Sequence, residues 1–424
     1  MVYQNLPRTQ LLELKKELTA EYEKYKAAGL KLDMSRGRPG KAQLDVAIDM
    51  LDDKSCVSPS GLDCRNYGIL DGLPEIKELF TEAMGVPAAN IFIGENASLA
   101  LMYTAISFAM TFGVGGCKPW SKYDKVKFLC PVPGYDRHFA ICEEFGIEMI
   151  NIAMDSTGPD MDTIEKLVAA DETIKGIWCV PKYSNPSGIT YSDETVRRFA
   201  ALKPAAKDFR IFWDNAYCIH ELYPDNAVKL LNLYDECVKN GTEDMPYILF
   251  STSKITFAGG GIAAIAMSTA NLAEFKRHMS VRTIGADKMN QLRHINFLKA
   301  NGGFDSIMRK HADLLRPRFE TVLNILDEEL TGTGAAVWTR PAGGYFISFD
   351  TLPGCAKKVV ADCRDLGVTL TSAGATYPYG RDPKDCNIRI APSSPSIEEL
   401  AQATKVLCLC TKLAAIDVIL NAAE

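Results

Sequence analysis

No two cysteines in this chain have the C-x-x-C spacing, and the five histidines fall at no ligand-like interval, so neither a zinc site nor a redox dithiol is expected. The thirteen cysteines are scattered, and most lie in apolar runs, as Cys130, Cys179 and Cys218 do. They read as small buried hydrophobes kept reduced, and a cytoplasmic location follows as the expectation. A basic block is also missing: 47 Lys and Arg against 53 Asp and Glu give a net charge of -6, which argues against a nucleic-acid partner. The N-terminus has no apolar signal core, since Thr9 to Lys31 is a charged amphipathic pattern. One stretch, Asn96 to Cys117, holds no charge, but its two serines, two threonines and three glycines fit a buried helix from Ser98 to about Phe112, not a membrane span. Internal repeats and low-complexity linkers are lacking as well.

What is present is a soluble composition, 47% apolar and 24% charged, over 424 residues, too many for one ordinary core. Leu11, Leu14, Leu18, Tyr22 and Tyr25 stripe one face of a helix over 8–28, with Gly29 as its stop. A short strand, 91–93, and a helix N-terminus at Glu95-Asn-Ala-Ser98 follow. Then one syntax repeats. The apolar runs 126–130, 174–180, 210–213 and 247–251 each end in polar or special residues: Pro131-Val-Pro-Gly-Tyr135, Pro181-Lys-Tyr-Ser-Asn185-Pro-Ser-Gly188, Asp214-Asn-Ala-Tyr217 and Ser251-Thr-Ser-Lys254. Helical patterns such as 161–170 and 193–202 lie between. Strands alternating with helices predict an α/β fold with a mostly parallel sheet, whose ligands bind at the carboxyl ends of the strands. After Met267 the pattern changes to long helix, 288–330, broken at Asn301-Gly-Gly303, and then to short strands and helices. The expected organisation is a large domain over 50–300 and a smaller α+β domain built from 1–49 and 301–424.

Lys254, just past a buried strand, must find a partner or do chemistry. A lysine amine without its proton is a nucleophile toward carbonyls, but a free pKa of ~10.4 means that neighbours must supply the bias. The strand ends offer what a phosphorylated aromatic aldehyde needs. Asp214 can face a ring nitrogen and keep it protonated, although a turn or capping role stays open. Asn185 and Tyr217 can reach a phenolic oxygen, and Tyr135 can cover the ring. Ala97, Ser98, Ser251 and Ser253 can give N–H and hydroxyl donors to a phosphate. Arg389, inside the apolar strand 387–391, can hold a carboxylate with its planar fork, or serve a structural ion pair.

The order and intervals of Asn185-Pro-Ser-Gly188, Asp214-x-x-Tyr217, Ser251-x-Ser253-Lys254 and Arg389 resemble those of the class I aminotransferases of fold type I, pyridoxal-phosphate enzymes, over nearly the whole chain. Pro341-Ala-Gly-Gly-Tyr-Phe346 is similar to their small-domain glycine turn. Ser35-Arg-Gly-Arg-Pro39 and Gly259-Gly-Gly261 are more similar to a divergent branch with bacterial aspartate aminotransferases, related to MocR-type effector domains. The resemblance implies pyridoxal 5′-phosphate carried by Lys254 as an aldimine, amino transfer between L-aspartate and 2-oxoglutarate, and Lys254 as the base at Cα. It implies Asp214 on the ring nitrogen, Tyr217 and Asn185 at the phenolic oxygen, and Tyr135 on the ring. It further implies Arg389, Asn185 and the Gly37 backbone at the substrate carboxylate, and a homodimer in which Tyr67 reaches the neighbour's phosphate. One departure stands out: where class I members carry a phosphate-binding arginine, this chain has Ile262. Backbone N–H groups of 259–261, Arg282 or Lys288 are the substitutes expected, while Arg282, Lys288, Arg36 and Arg38 are also candidates for a substrate side-chain carboxylate. A C–S lyase, another amino donor, and a ligand-sensing effector domain are the competing readings. Against the last, the chain opens directly on the first family helix.

Overall fold

The computed structural model describes residues 2–422. Its strands are β1 (Leu32–Asp33), β2 (Ile91–Ile93), β3 (Lys127–Val132), β4 (Glu148–Asp155), β5 (Gly158–Pro159), β6 (Ile174–Cys179), β7 (Arg210–Asp214), β8 (Pro246–Ser251), β9 (Ala263–Ala266), β10 (Ala336–Trp338), β11 (Ile347–Thr351), β12 (Val368–Thr369) and β13 (Asn387–Ile390). Its helices are α1 (Arg8–Ala28), α2 (Lys41–Asp45), α3 (Pro74–Met84), α4 (Ser98–Phe112), α5 (Asp136–Glu144), α6 (Met161–Ala170), α7 (Asp193–Ala200), α8 (Leu233–Asn240), α9 (Thr269–Arg282), α10 (Lys288–Ala300), α11 (Gly303–Leu330), α12 (Ala356–Asp365) and α13 (Ile397–Ala422).

The large sheet has eight strands in the order β2-β9-β8-β7-β6-β3-β4-β5. β8, β7, β6, β3 and β4 run parallel, while β9 and β5 are antiparallel to their neighbours. The α/β class and the mostly parallel sheet are therefore as expected. β6, β7 and β8 are buried along their whole length, which a parallel sheet covered on both faces demands. From β3 the chain steps to β4 on one side, and later to β6 on the other. The order reverses between β3 and β6, the position at which sheets of this kind bind ligands beyond the strands' carboxyl ends.

Apolar side chains on the two faces of this sheet form two separate buried clusters, one around Ile177, Trp213 and Phe250 and one around Phe128, Trp178 and Phe212. A third cluster joins α1, α12, α13 and the three-stranded sheet β10-β11-β13. The long helix α11 contributes Phe304, Ile307 and Met308 to the first cluster, and Leu315, Phe319 and Val322 to the third. It is a continuous rod fixed in both cores.

Several elements differ from their sequence-based expectation. β4, second from the sheet's edge and half-exposed along its length, interleaves polar and apolar residues and does not stand out as an apolar run. β9 consists of Ala-Ala-Ile-Ala, too small in side chain to register as a strand, yet it pairs with β8 from Ile248↔Ala266 to Ser251↔Ala263. β11 begins at Ile347, two residues later than the apolar run suggests, because Gly343 and Gly344 hold the chain in a turn against Tyr183. α1 ends as expected, at Gly29 in the left-handed region (φ 61°).

Candidate active site

The four motif-bearing loops converge because parallel strands all deliver their carboxyl ends to one edge. β7 ends on Asp214, whose side chain is buried. Its Oδ2 lies 3.1 Å from His138 Nε2, while Oδ1 is buried with no hydrogen-bond partner. His138 comes from the first turn of α5, directly after Tyr135, and stacks on Trp178 of β6 with centroids 4.5 Å apart. Tyr135 sits edge-on to His138 at 4.9 Å. Burial pushes the Tyr135 phenol up to about 12, with nearby Lys254 acting in the opposite sense.

Lys254 follows β8 in a turn. Its Nζ lies 4.9 Å from the centroid of Tyr217 and 5.8 Å from that of Tyr345. Burial first, and then the Asp214 charge, hold the Tyr217 phenol above its ordinary value, so it faces the lysine as a neutral hydroxyl. Lys254 Nζ thus faces both phenol rings from one side, their own centroids being 6.0 Å apart.

At one end of this group lie the small residues. Ser251 Oγ donates to Ser253 Oγ (3.2 Å), which donates to the Asn96 carbonyl (3.0 Å). Asn96 leads into Ala97, the N-cap of α4, which makes no side-chain capping bond. Neither Asn96 nor Ser98 caps this helix; Ala100 N–H donates to the Ala97 carbonyl (3.2 Å), and the Ser98 and Leu99 N–H groups have no side-chain acceptor. A Cβ on Gly261 would come within 2.8 Å of the Asn96 oxygen and 3.1 Å of Ser253 N, so only glycine allows this approach. Ile262 is buried in the core. Arg282 pairs with Glu95, and Lys288 donates to the Gly68 carbonyl at 2.9 Å. Arg282 also lines a cleft of about 740 Å³ bounded by Glu95, Asn96 and Gly259–Gly261.

At the other end is Arg389, 7% exposed in β13. One terminal nitrogen bonds Asp136 Oδ1 (2.8 Å) and Asn185 Oδ1 (3.3 Å), and Nε is buried without a partner. Its guanidinium lies 4.9 Å from the Phe346 ring centroid. The far side of that ring meets Gly37, where a Cβ would come within 2.3 Å of it. Contacts lead from Lys254 to Tyr217, on to Phe346 and Arg389, and from Arg389 to Asn185, with Gly37 packed on Phe346; Asp214 is joined to Tyr135 through His138, and Ser251 and Ser253 to Asn96, which precedes Ala97 and Ser98. Tyr67 does not join them: it is 82% exposed on the 65–70 loop. Arg36 and Arg38 are exposed beside Gly37.

Sequence reading missed His138 and Asp136, which follow the chosen Tyr135 by three residues and one and were available as polar groups at a helix start. It also missed three buried histidines. His294 bonds Thr252 and Thr256, and burial lowers its pKa to about 4; burial lowers His220 and His311 as well. Their folded-state values lie below that of a free imidazole, so the unfolded chain binds more protons. The stability they supply is complete above about pH 6.5 and is lost as pH falls toward 4. Thermal unfolding midpoints should therefore drop steadily from pH 7 to 5, with His294 alone costing about 2 kcal/mol by pH 5. A flat profile over that range would show that these rings are not held neutral.

Three comparisons bear on this geometry. The model of the aspartate amino-transferase family matches residues 6–422. A Mycolicibacterium smegmatis protein, described provisionally as an aminotransferase, is 44% identical over 99% of this chain and its own full length. The aspartate aminotransferase of Corynebacterium glutamicum is 41% identical over 95% of this chain and 93% of its own. The crystal structure of an aspartate transaminase from Corynebacterium glutamicum superposes with a TM-score of 0.96 at 39% identity, covering 99% of both chains. No helix among the described residues is long and apolar enough to cross a membrane.

Proposed function

As the chain belongs to the aspartate aminotransferase family, with the type I fold and the amino-transfer activity of that family, we propose that its donor is L-aspartate, its acceptor 2-oxoglutarate and its cofactor pyridoxal 5′-phosphate, used in a ping-pong cycle. The observation that carries the cofactor assignment is Asp214 Oδ1, a buried carboxylate oxygen with no partner, together with a lysine amine that faces two phenols. A buried anion of this kind calls for a cationic N–H, and a pyridinium offers one. When bound, the ring supplies the electron sink for the bond broken at the substrate's Cα. Asp214 holds the ring nitrogen, and His138 orients the carboxylate. Tyr217 and Asn185 contact the phenolic oxygen, and Tyr135 covers the ring. The open N-terminus of α4 at Ala97 and Ser98, with Ser251, Ser253 and the Gly259–Gly261 backbone, binds the phosphate in place of the missing arginine. Lys254 Nζ would hold the cofactor through its aldehyde between turnovers and, once the substrate's amine has released it, would take the proton from the substrate's Cα. Arg389, with Asn185 and the Gly37 backbone, holds the α-carboxylate. Two copies pair, and Tyr67 of each reaches the phosphate held by the other.

Arg389→Lys should raise the KM for amino acid about 10- to 100-fold, because an ammonium cannot replace the two-pronged hydrogen bonding. The cofactor's colour should be unchanged. Equal loss of both would assign Arg389 to its ion pair with Asp136 alone. Product analysis tests the reaction itself: oxaloacetate and glutamate should form one for one from L-aspartate and 2-oxoglutarate. Pyruvate and ammonia released from a thioether amino acid without any acceptor would favour a C–S lyase. Binding of an amino acid with no turnover would favour a ligand-sensing domain.

A further inference from the structure

Gln43 is 2% exposed, on the short helix α2 that follows the arm bearing Gly37. A buried primary amide has two N–H groups and a carbonyl to satisfy. Gln43 satisfies all three: Oε1 accepts from the Gly40 N–H (3.1 Å), and Nε2 donates to Tyr345 Oη (2.9 Å) and to His311 Nδ1 (3.1 Å). Each of these two side chains then donates to a main-chain carbonyl at the lysine. Tyr345 O–H reaches the Lys254 oxygen at 3.4 Å, and His311 Nε2 reaches the Ile255 oxygen at 2.9 Å. The directions determine one another. The Gly40 N–H needs an acceptor, which fixes the orientation of the amide. Nε2 has only hydrogens to offer, so His311 Nδ1 must be bare and Nε2 must carry the ring proton for Ile255. Burial keeps that ring neutral. Tyr345 accepts from Gln43, and so spends its one hydrogen on Lys254. Partners as distant in sequence as 43 and 345 are thereby joined without an unsatisfied atom on the amide, a network in which each bond depends on the next.

We propose that Gln43 is a positioning residue for Lys254: its single amide holds the two consecutive carbonyls at the lysine and, through Gly40, the arm that carries Gly37, so that the arm and the lysine are placed together. This rests on Lys254 being the reactive lysine proposed above. Tyr345→Phe removes only the hydroxyl that touches Lys254, and Gln43→Leu removes the hub.

The test is backbone hydrogen exchange of the cofactor-free protein over 35–45 and 252–256, combined with kinetics of the loaded enzyme. Both variants should speed exchange about tenfold in both segments, as expected for loss of a buried hydrogen bond. Both should lower kcat about tenfold, and the double variant should be no slower than the slower single one. Gln43→Glu should not rescue, because a carboxylate has no N–H for Tyr345 or His311. The Tm of Tyr345→Phe should stay within about 3 °C of the parent, so that its loss of kcat is not one of folding. Exchange that rises only in the segment next to each substitution, additive kinetic losses, or a fully active Gln43→Glu would each overturn the proposal. If both segments respond together in a protein that transfers no amino group, the network stands and the functional assignment fails.

Discussion

Lys254→Ala should yield a folded protein that stays colourless with added pyridoxal phosphate and transfers amino groups at least about 10⁴-fold more slowly, since it loses both the covalent attachment and the base. The size of this effect follows from the surroundings of the amine. Lys175, Lys182 and Lys288 are buried, but each ammonium has a hydrogen-bonding partner: Asp208 for the first, the Cys218 carbonyl and Glu221 for the second, and the Gly68 carbonyl for the third. Lys254 instead faces two phenol rings, and only its main-chain carbonyl is tied down. Reduction with borohydride followed by peptide mapping checks the point directly: the label belongs on the peptide containing Lys254. Activity within tenfold of the parent would sink the assignment.

Asp214→Ala should be the second largest loss, with turnover falling about 10²- to 10³-fold and cofactor held more weakly, as when one preorganised electrostatic partner is removed from a dry site. The carboxylate is buried, and one of its oxygens is already occupied by His138, so it is rigidly aimed. Asp214→Asn keeps the shape and the contact with His138 but not the charge, and should fall nearly as far, because a neutral amide does not favour a protonated ring nitrogen. His138→Phe is the control. It preserves the stack on Trp178, and costs only the orienting hydrogen bond, so its effect should be about tenfold. Stopped-flow measurement of the half-reaction with L-aspartate separates these outcomes. If Asp214→Asn proved as active as the parent, the unpartnered oxygen would have no role at the cofactor.

These groups differ in how visible they are in the linear sequence. Asp214, Lys254, Asn185 and Tyr217 stand at the ends of apolar runs, and a parallel sheet sends all such ends to one edge, so local pattern suffices to group them. β4 and β9 escaped because the first interleaves polar with apolar residues and the second is built of small residues. Asp136 and Arg389 are 253 positions apart, and their ion pair exists only because β13 is laid against the start of α5. Gln43 and Tyr345, 302 positions apart, meet only because α2 is laid against the turn that precedes β11. A glutamine in a short helix and a tyrosine after two glycines carry no local mark of being partners. The open N-terminus of α4 was legible as an anion site, but not the reason for it: its N-cap is Ala97, and no side chain occupies the N–H groups.

The most direct measurement is the absorption spectrum of the purified protein with pyridoxal phosphate, before and after L-aspartate is added without any keto acid. A yellow band that gives way to the pyridoxamine form with aspartate, and returns with 2-oxoglutarate, is the expected result. It would establish both halves of the transfer and the identity of the donor. A yellow band that L-aspartate leaves untouched would contradict the substrate assignment, and the absence of any band would contradict the reading of Lys254 and Asp214 as a cofactor site.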